Sequence, residues 1–470
     1  MKFNYHYRYV VVVVLSFAFF NQSLAQTPEE NTFSIQECIE YAGLNNKHVK
    51  IARIDERIAE QQTAEVRGRG LPQANINGSL EDRLKIPLLV IPGGIPGSQS
   101  GGDSGNGDNA EGQGIPLGYQ YNSALTGEVT QMIFDPSFWV GLKAAKSSSQ
   151  LYQQQTKQVS EETAYQIASA YYQVIVVQKQ RQLLQTNLES TESTLTTTQL
   201  QFENGVAKQV DVSRLRVNAS NLTSQIAQAE LQIKQALNNL KYQMGMPLDQ
   251  SIALSDTALN FQNEKNALTD IPDDFYKNRI DYQILQTNLA LQKLDEKNNR
   301  VGYFPKLTAY ANYGYQAQGA DLGLYATSEN GWVDYTTASL GLRLSIPVFD
   351  GLQRHARIQQ SKLKSQQLEE NITLTHQAID LETSNASSQY QSTLQRIEAE
   401  QQNVDLAQQV YEVTQLEFRE GVGTSTDVVE AETALRQAQN TYINSLLDLY
   451  VARLDLENAK GNLLPYLKSL

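Results

Sequence analysis

The stretch Phe202-Glu203-Asn204-Gly205-Val206, followed by Asp211-Val212, returns later in the chain as Phe418-Arg419-Glu420-Gly421-Val422, followed by Asp427-Val428. The spacing is kept: Gly421 stands 216 residues after Gly205, and Asp427 stands 216 after Asp211. Upstream, Phe134-Asp135 recurs as Phe349-Asp350, and Leu71-Pro72-Gln73 is echoed by Phe304-Pro305-Lys306. Landmarks repeating in one order over this distance mark an internal duplication. A duplication fixes the architecture before any single element is assigned.

Working outward from the two Gly-Val sites, each is preceded by a long helical stretch, 136–204 and 352–420, and each stretch has 69 residues counted inclusively. At about 1.5 Å per residue, either extends about 100 Å. The chain then turns and returns. The first return carries Val212, Leu215, Ala219, Leu222, Ile226, Ala229, Ile233, Ala236 and Leu240. The second carries Val428, Ala431, Leu435, Ala438, Tyr442, Ser445, Leu449, Ala452, Leu456, Ala459 and Leu463. Alternating steps of three and four give a 3.5-residue period, so each copy predicts a left-handed coiled-coil hairpin. Shorter helices, about 34–69 and 278–301, are placed to complete each column. Ser34 and Glu37 form a capping box for the first, and Pro72 ends it.

Between the short and long helices of each copy, the period changes to two. Ala74, Ile76, Gly78, Leu80, Leu84 and Ile86 share one face, opposite Gln73, Asn75, Asn77, Ser79, Glu81, Arg83 and Lys85. The return strand, about 119–134, places Tyr119, Tyr121, Leu125, Val129 and Ile133 together. In the second copy Leu307, Ala309, Ala311, Tyr313 and Tyr315 share a face, as do Ala338, Leu340, Leu342, Leu344, Ile346 and Val348. This alternation reads as strands with one apolar and one polar side. Tyr119, Tyr121, Tyr313, Tyr315, Trp332 and Tyr335 suit interfacial girdles. Four strands cannot close on themselves, and hydrocarbon does not tolerate open edges, so a membrane location implies an oligomer; three copies supply about 12 strands. The alternative is a soluble sheet that covers its apolar face with a core.

The 470-residue chain therefore divides into a leader, 1–25; a first repeat, 26–245, with its strand hairpin at 72–134 and its tip near 204–210; a joining segment, 246–277; and a second repeat, 278–470, with its hairpin at 305–348 and its tip near 420–426. The leader has Lys2 and Arg8, an apolar run from Val10 to Phe20, and Ser23-Leu24-Ala25 before Gln26. That is the pattern of a cleaved secretory signal. The net charge of −13 argues against a general nucleic-acid partner. Cys38 is the single cysteine, so no internal disulfide is available, and it is not placed to carry an N-terminal lipid.

Little in the chain suggests chemistry. The four histidines, His6, His48, His355 and His376, are not at metal-ligand spacing. His355 and His376 are expected on solvated helix faces. Gly102-Asp103-Ser104-Gly105 lies in a Gly/Pro/Ser/Asp-rich loop, with no histidine and aspartate arranged to serve the serine. Asp103, Asp108 and Glu111 do not match an EF-hand. No cofactor, metal site or catalytic residue is expected. The acids of interest are Asp427 and Glu430, three apart on one helical face, with Asp211 as the first-copy counterpart. Placement near a helix N-terminus accounts for them electrostatically. In a symmetric oligomer they would form rings of charge at an aperture and bias ion selection.

The order of these signals resembles the TolC family of outer-membrane efflux and secretion channels over nearly all of the mature chain. The matching signals are a proline-terminated helix before the strands, Ile346-Pro347-Val348-Phe349-Asp350-Gly351 at the strand-to-helix junction, and a Gly-Val tip followed by Asp-Val. The resemblance implies a mainly α fold with a membrane β-barrel. Duplicated halves would build a long coiled-coil α-helical barrel, and four strands per chain would contribute to a trimeric barrel. It implies a homotrimer acting as a passive export duct in the Gram-negative outer membrane, with a long periplasmic extension, a periplasmic adaptor protein and an inner-membrane pump or ABC transporter as partners. Carried over, the adaptor-docking tips are Asn204, Gly205, Val206 and Ala207 in the first copy, and Gly421, Val422, Gly423 and Thr424 in the second. The aperture acids are Asp211, Asp427 and Glu430. Where relatives carry a tyrosine and an arginine that latch the closed end, this chain has Phe418 and Gly423. The competing reading is a structural or adhesive coiled-coil envelope protein, which leaves the recurrence of amphipathic strands unexplained.

Overall fold

Prolines, glycines and capping residues divide the chain where its periodicity changes. The computed structural model describes residues 31–90, 114–255, 274–322 and 332–470. The leader and the Gly/Pro/Ser/Asp-rich loop, with its Gly102–Gly105 run, lie outside the described residues. The elements in chain order are β1 (Asn31–Phe33), α1 (Ile35–Asn45), α2 (Lys47–Gly68), β2 (Gln73–Asp82), β3 (Leu88–Val90), β4 (Gly114–Pro116), β5 (Tyr121–Phe134), α3 (Pro136–Glu203), α4 (Gln209–Met244) and β6 (Ile252–Leu254). A 3₁₀ turn (Phe275–Asn278) then leads to α5 (Ile280–Val301), β7 (Lys306–Gly319), β8 (Val333–Ser345), α6 (Gln353–Arg419), α7 (Ser425–Ala459) and α8 (Leu463–Ser469).

The four long strands form one antiparallel sheet in the order β2-β5-β7-β8, so the two copies meet at β5 and β7. The register aligns the apolar residues of all four. Gly78 pairs with Leu125, Leu125 with Tyr315, Val129 with Ala311, and Ala311 with Leu340. One face thus carries Ile76, Leu80, Leu125, Val129, Tyr313, Leu340, Leu342 and Leu344. No described residue covers it: Ile76 is 78 % exposed and Leu340 85 %. Among the described residues, the sheet has no core packed on its apolar face. The opposite face carries Asn75, Asn77, Thr126, Glu128, Asn312, Gln316, Arg343 and Ser339, with Arg343 lying over the Tyr310 ring.

Several strand assignments need correction. Leu84, Ile86, Tyr119, Ile346 and Val348 fall outside the strands. Ile133 sits in a bulge, where the register shifts between Met132 and Phe134; an extra residue there removes it from the alternation. Two of the aromatics are not girdle residues. Trp332 is buried, its indole occupying the space a side chain at Gly319 would need. Tyr335 pairs with Gln316 on the polar face and donates its hydroxyl to that side chain.

The first helix is two helices. Asn46 breaks it, because its side-chain oxygen accepts from the His48 and Val49 N–H groups and starts α2 afresh. The Ser34–Glu37 capping box is present at the start of α1. Two short ladders join segments that the periodicity left unassigned: β1 runs parallel to β6, and β3 pairs with β4. The junction from sheet to long helix differs between the copies. Asp135 caps α3 directly, with Pro136 as the first helical residue, and also pairs with Lys306. Before α6, Gly351 and Leu352 both take the left-handed conformation.

The helical body has two halves. Near the strands, α2 lies along α3 and α5 along α6, tied by Thr156 Oγ1–H to the Ala52 carbonyl and by Asn299 to Ser361. Beyond the midpoint, α4 and α7 take over as the partners of α3 and α6. At the equator α3 is enclosed on nearly every side. Ile167, Tyr171, Val174 and Ile175 join Leu240, Tyr390, Leu449 and Leu454 in the main core, with Cys38 buried among them. No described helix is long and apolar enough to cross a membrane.

Candidate functional site

Both hairpins end in the same backbone turn. Gly205 and Gly421 each adopt φ +79°, a conformation that glycine takes at little cost. The Val206 N–H donates to the Gln201 carbonyl (2.8 Å) and the Gly205 N–H to Phe202 (2.9 Å). The second tip repeats this, Val422 to Glu417 (3.0 Å) and Gly421 to Phe418 (3.1 Å). These are the paired 6→1 and 5→2 bonds that satisfy the last carbonyls of a helix. The turns hold Val206 and Val422 outward, 75 % and 80 % exposed. Asn204, Gly421 and Thr424 are also exposed, while Ala207 and Gly423 are half-buried. A side chain at Gly423 would press on the Phe418 nitrogen and the Glu417 carbon.

The returning helices are started by the acids. Asp427 accepts from the Thr424 N–H (3.0 Å) and Oγ1–H (2.7 Å), and the Thr424 hydroxyl accepts from the Asp427 N–H (3.3 Å), a complete capping box. In the first copy Lys208 occupies the cap position and offers no side-chain acceptor, but its N–H still donates to Asp211 Oδ2 (3.3 Å). The other oxygen of Asp211 accepts from the Ser425 hydroxyl (2.5 Å), and the same hydroxyl accepts from Arg214 Nη1 (2.6 Å). Asp211 and Arg214 are 3.7 Å apart. Asp211, Arg214 and Ser425 therefore tie the first hairpin to the second. Asp427 and Glu430 are exposed one turn apart on α7, and Asp211 is half-buried in this bridge.

Above the bridge, α3 and α7 touch each other as well as their own hairpin partners, so the tip half is a four-helix bundle. Its interior mixes polar layers with apolar ones. Asn187, Thr191, Thr194 and Thr198 fill the seam of α3 at steps of four, three and four. The Glu432 carboxylate, on α7, accepts from Thr191 Oγ1 (3.0 Å) and Asn218 Nδ2 (2.8 Å). Asn187 Nδ2 donates to Gln439 Oε1 (3.2 Å). Ser190 and Tyr411 share a hydrogen bond of 2.9 Å, and Gln415 donates to Thr194 (3.0 Å). Burial pushes the Glu432 carboxyl above its ordinary value, with the bonds from Thr191 and Asn218 and the charge of Arg436 opposing. Two small apolar clusters accompany these polar layers: Leu215, Tyr411, Phe418, Val428, Ala431 and Leu435, and Leu184, Leu222 and Ala229. Phe418 is a seam residue in the first of them.

Sequence spacing therefore placed the two turns, the acids and Arg214 at the first-copy position of Glu430, but not the bridge through Ser425 or the Glu432 layer. One signal was present: threonines at heptad steps on α3 where apolar residues are expected. His376 is half-exposed, pairs with Asp380 and packs against Tyr276; His355 is exposed. Among the described residues no group of His, Cys, Asp and Glu is placed to hold a metal ion.

The outer membrane efflux protein family model matches residues 111–246 and 279–462. Among curated proteins, the toluene efflux pump outer membrane protein TtgC of Pseudomonas putida is 21 % identical over 430 residues, covering 91 % of this chain and 83 % of its own length. The pyoverdine export outer membrane protein OpmQ of Pseudomonas aeruginosa is 22 % identical over 339 residues, covering 70 % of this chain and 68 % of its own. Among solved structures, the outer-membrane channel OprN superposes with a TM-score of 0.69 at 15 % identity, over 91 % of this chain and 90 % of that one.

Proposed function

The chain belongs to the outer membrane efflux protein family, and from that premise we propose that three copies assemble into a passive export duct, crossing the outer membrane as a barrel and the periplasm as a helical tunnel. The observation that carries this reading is the sheet. Its apolar residues form one uncovered face across all four strands, its polar residues form the other, and β2 and β8 leave free edges. In hydrocarbon, free edges must be paired, and three sheets joined edge to edge close a barrel of about 12 strands. The helical body supports the same assembly. Leu406, Val410 and Val413 on α6, and Val210, Val217 and Leu231 on α4, are exposed apolar residues on the two helices that flank the α3–α7 pair. A second copy is the partner of matching chemistry.

Within the duct, the two tips are the ends that meet a periplasmic adaptor, through Asn204–Ala207 and Gly421–Thr424. Asp427 and Glu430 line the aperture, with Asp211 held back in the inter-hairpin bridge. An inner-membrane pump or transporter supplies the energy, and the duct itself is passive. Toluene and pyoverdine appear in the names of the two relatives above, so one fold serves different cargoes; the pump sets the choice.

The test is native mass and bilayer conductance on one detergent-extracted outer-membrane preparation. A particle of three chains that conducts supports the duct. A monomer, or a trimer that never conducts even with its tip acids replaced, returns the chain to a structural envelope role.

A further inference from the structure

Glu432 is 3 % exposed, yet its carboxylate lies where the two hairpins meet. It belongs to α7, while its bonded partners, Thr191 and Asn218, belong to α3 and α4 of the other hairpin. Among the described residues, the charged and titratable groups that act on it are few. Arg436 lies one turn along its own helix, and the Tyr411 phenol of α6, itself near Arg419, senses it; α3 and α4 contribute only the two neutral donors. We propose that Glu432 is a proton-controlled lock between the two hairpins, closed when the carboxyl is neutral and released when it is ionised.

Two neutral donors offset only part of the cost of burying a carboxylate, and parting the hairpins returns it to water. The neutral acid fits the closed site. One oxygen keeps the Asn218 bond, and its O–H turns to Thr191 Oγ1, whose own hydroxyl donates to the Asn187 carbonyl (2.9 Å). The closed form has the higher pKa, so it binds more protons than the open form. Closure is then strongest below the hydrated value of a glutamate, weakens as pH rises towards the raised one, and is level above it. This goes beyond the duct reading, and its test requires no conduction.

The experiment is hydrogen exchange on the detergent-extracted full-length protein, reading peptides over 209–222 and 425–436 in wild type and in Glu432→Gln at matched pH. At about pH 8 the wild type is expected to exchange about tenfold faster than the variant, and at about pH 4 the two are expected to coincide. Equal exchange at the higher pH, or faster wild-type exchange at the lower, overturns the proposal. Should the variant fail to assemble, the wild type suffices with peptides over 443–456 as the internal reference. Protection of the tip half relative to that reference falls between the two pH values if Glu432 is the lock, and a constant ratio overturns it.

Discussion

At the equator, α3 buries Ile167, Tyr171, Val174 and Ile175 in a core shared with Leu446, Leu449 and Tyr450 of α7. Towards the tip, the same helix buries Asn187, Thr191, Thr194 and Thr198, and α7 answers with Glu432 and Gln439. The helices, their partners and the heptad steps continue from one half to the other. The chemistry changes from one large close-packed carbon core to hydrogen-bonded layers between small apolar clusters. Apolar contact is non-directional and is lost over a large area when helices separate. A net hydrogen bond contributes only about 1 kcal/mol, since water replaces it. The equator is therefore built to hold, and the tip half is built so that separation costs less.

The largest expected effect tests the first side of this contrast. Leu449→Ala removes a fully buried side chain from the main core and should cost about 2–5 kcal/mol in urea unfolding followed by circular dichroism. Thr191→Val, in the other half, keeps the shape but removes a hydroxyl from Glu432, and about 1–2 kcal/mol is expected by the same measurement. Were the two costs equal, the division into a holding half and a yielding half would fail. Smaller again, Gly205→Ala and Gly421→Ala should each cost about 1 kcal/mol, because alanine pays for the left-handed conformation that glycine adopts freely. Similar losses at both tips would show that the duplicated turns remain equivalent. The least effect on global stability is expected from Glu430→Ala, about 0.5 kcal/mol or less for an exposed side chain. Combined with Asp427→Ala it should nevertheless lower cation preference, and unchanged reversal potentials in bilayers would remove these acids from the aperture.

Much of the molecule was legible because its signals are local and repeated. The Gly-Val turns, the 3.5-residue seams of α4 and α7 and the alternation in the strands each reflect the geometry of a few consecutive residues. Val212, Leu215, Leu222, Val428, Leu435 and Leu449 are buried as their spacing predicts. Errors gathered where a local pattern was cut short by something specific. Asn46 caps a new helix within an unbroken helical period, and the bulge at Ile133 shifts the register by one. Trp332 resembles a girdle aromatic in composition but fills the space above Gly319.

By itself, the sequence determined that the chain is duplicated, that each copy joins two strands to a coiled-coil hairpin, and that the strands have one apolar face. Periodicity and glycine placement suffice for that, because they act over a turn or a strand pair. Only the tertiary structure decided that the copies join at β5 and β7, that Ser425 links Asp211 to Arg214, and that Glu432 is buried against the opposite hairpin. In each case the residues that meet are about 200 positions apart. Whether a carboxylate is solvated or enclosed depends on what those distant helices bring to it, and no local pattern carries that information.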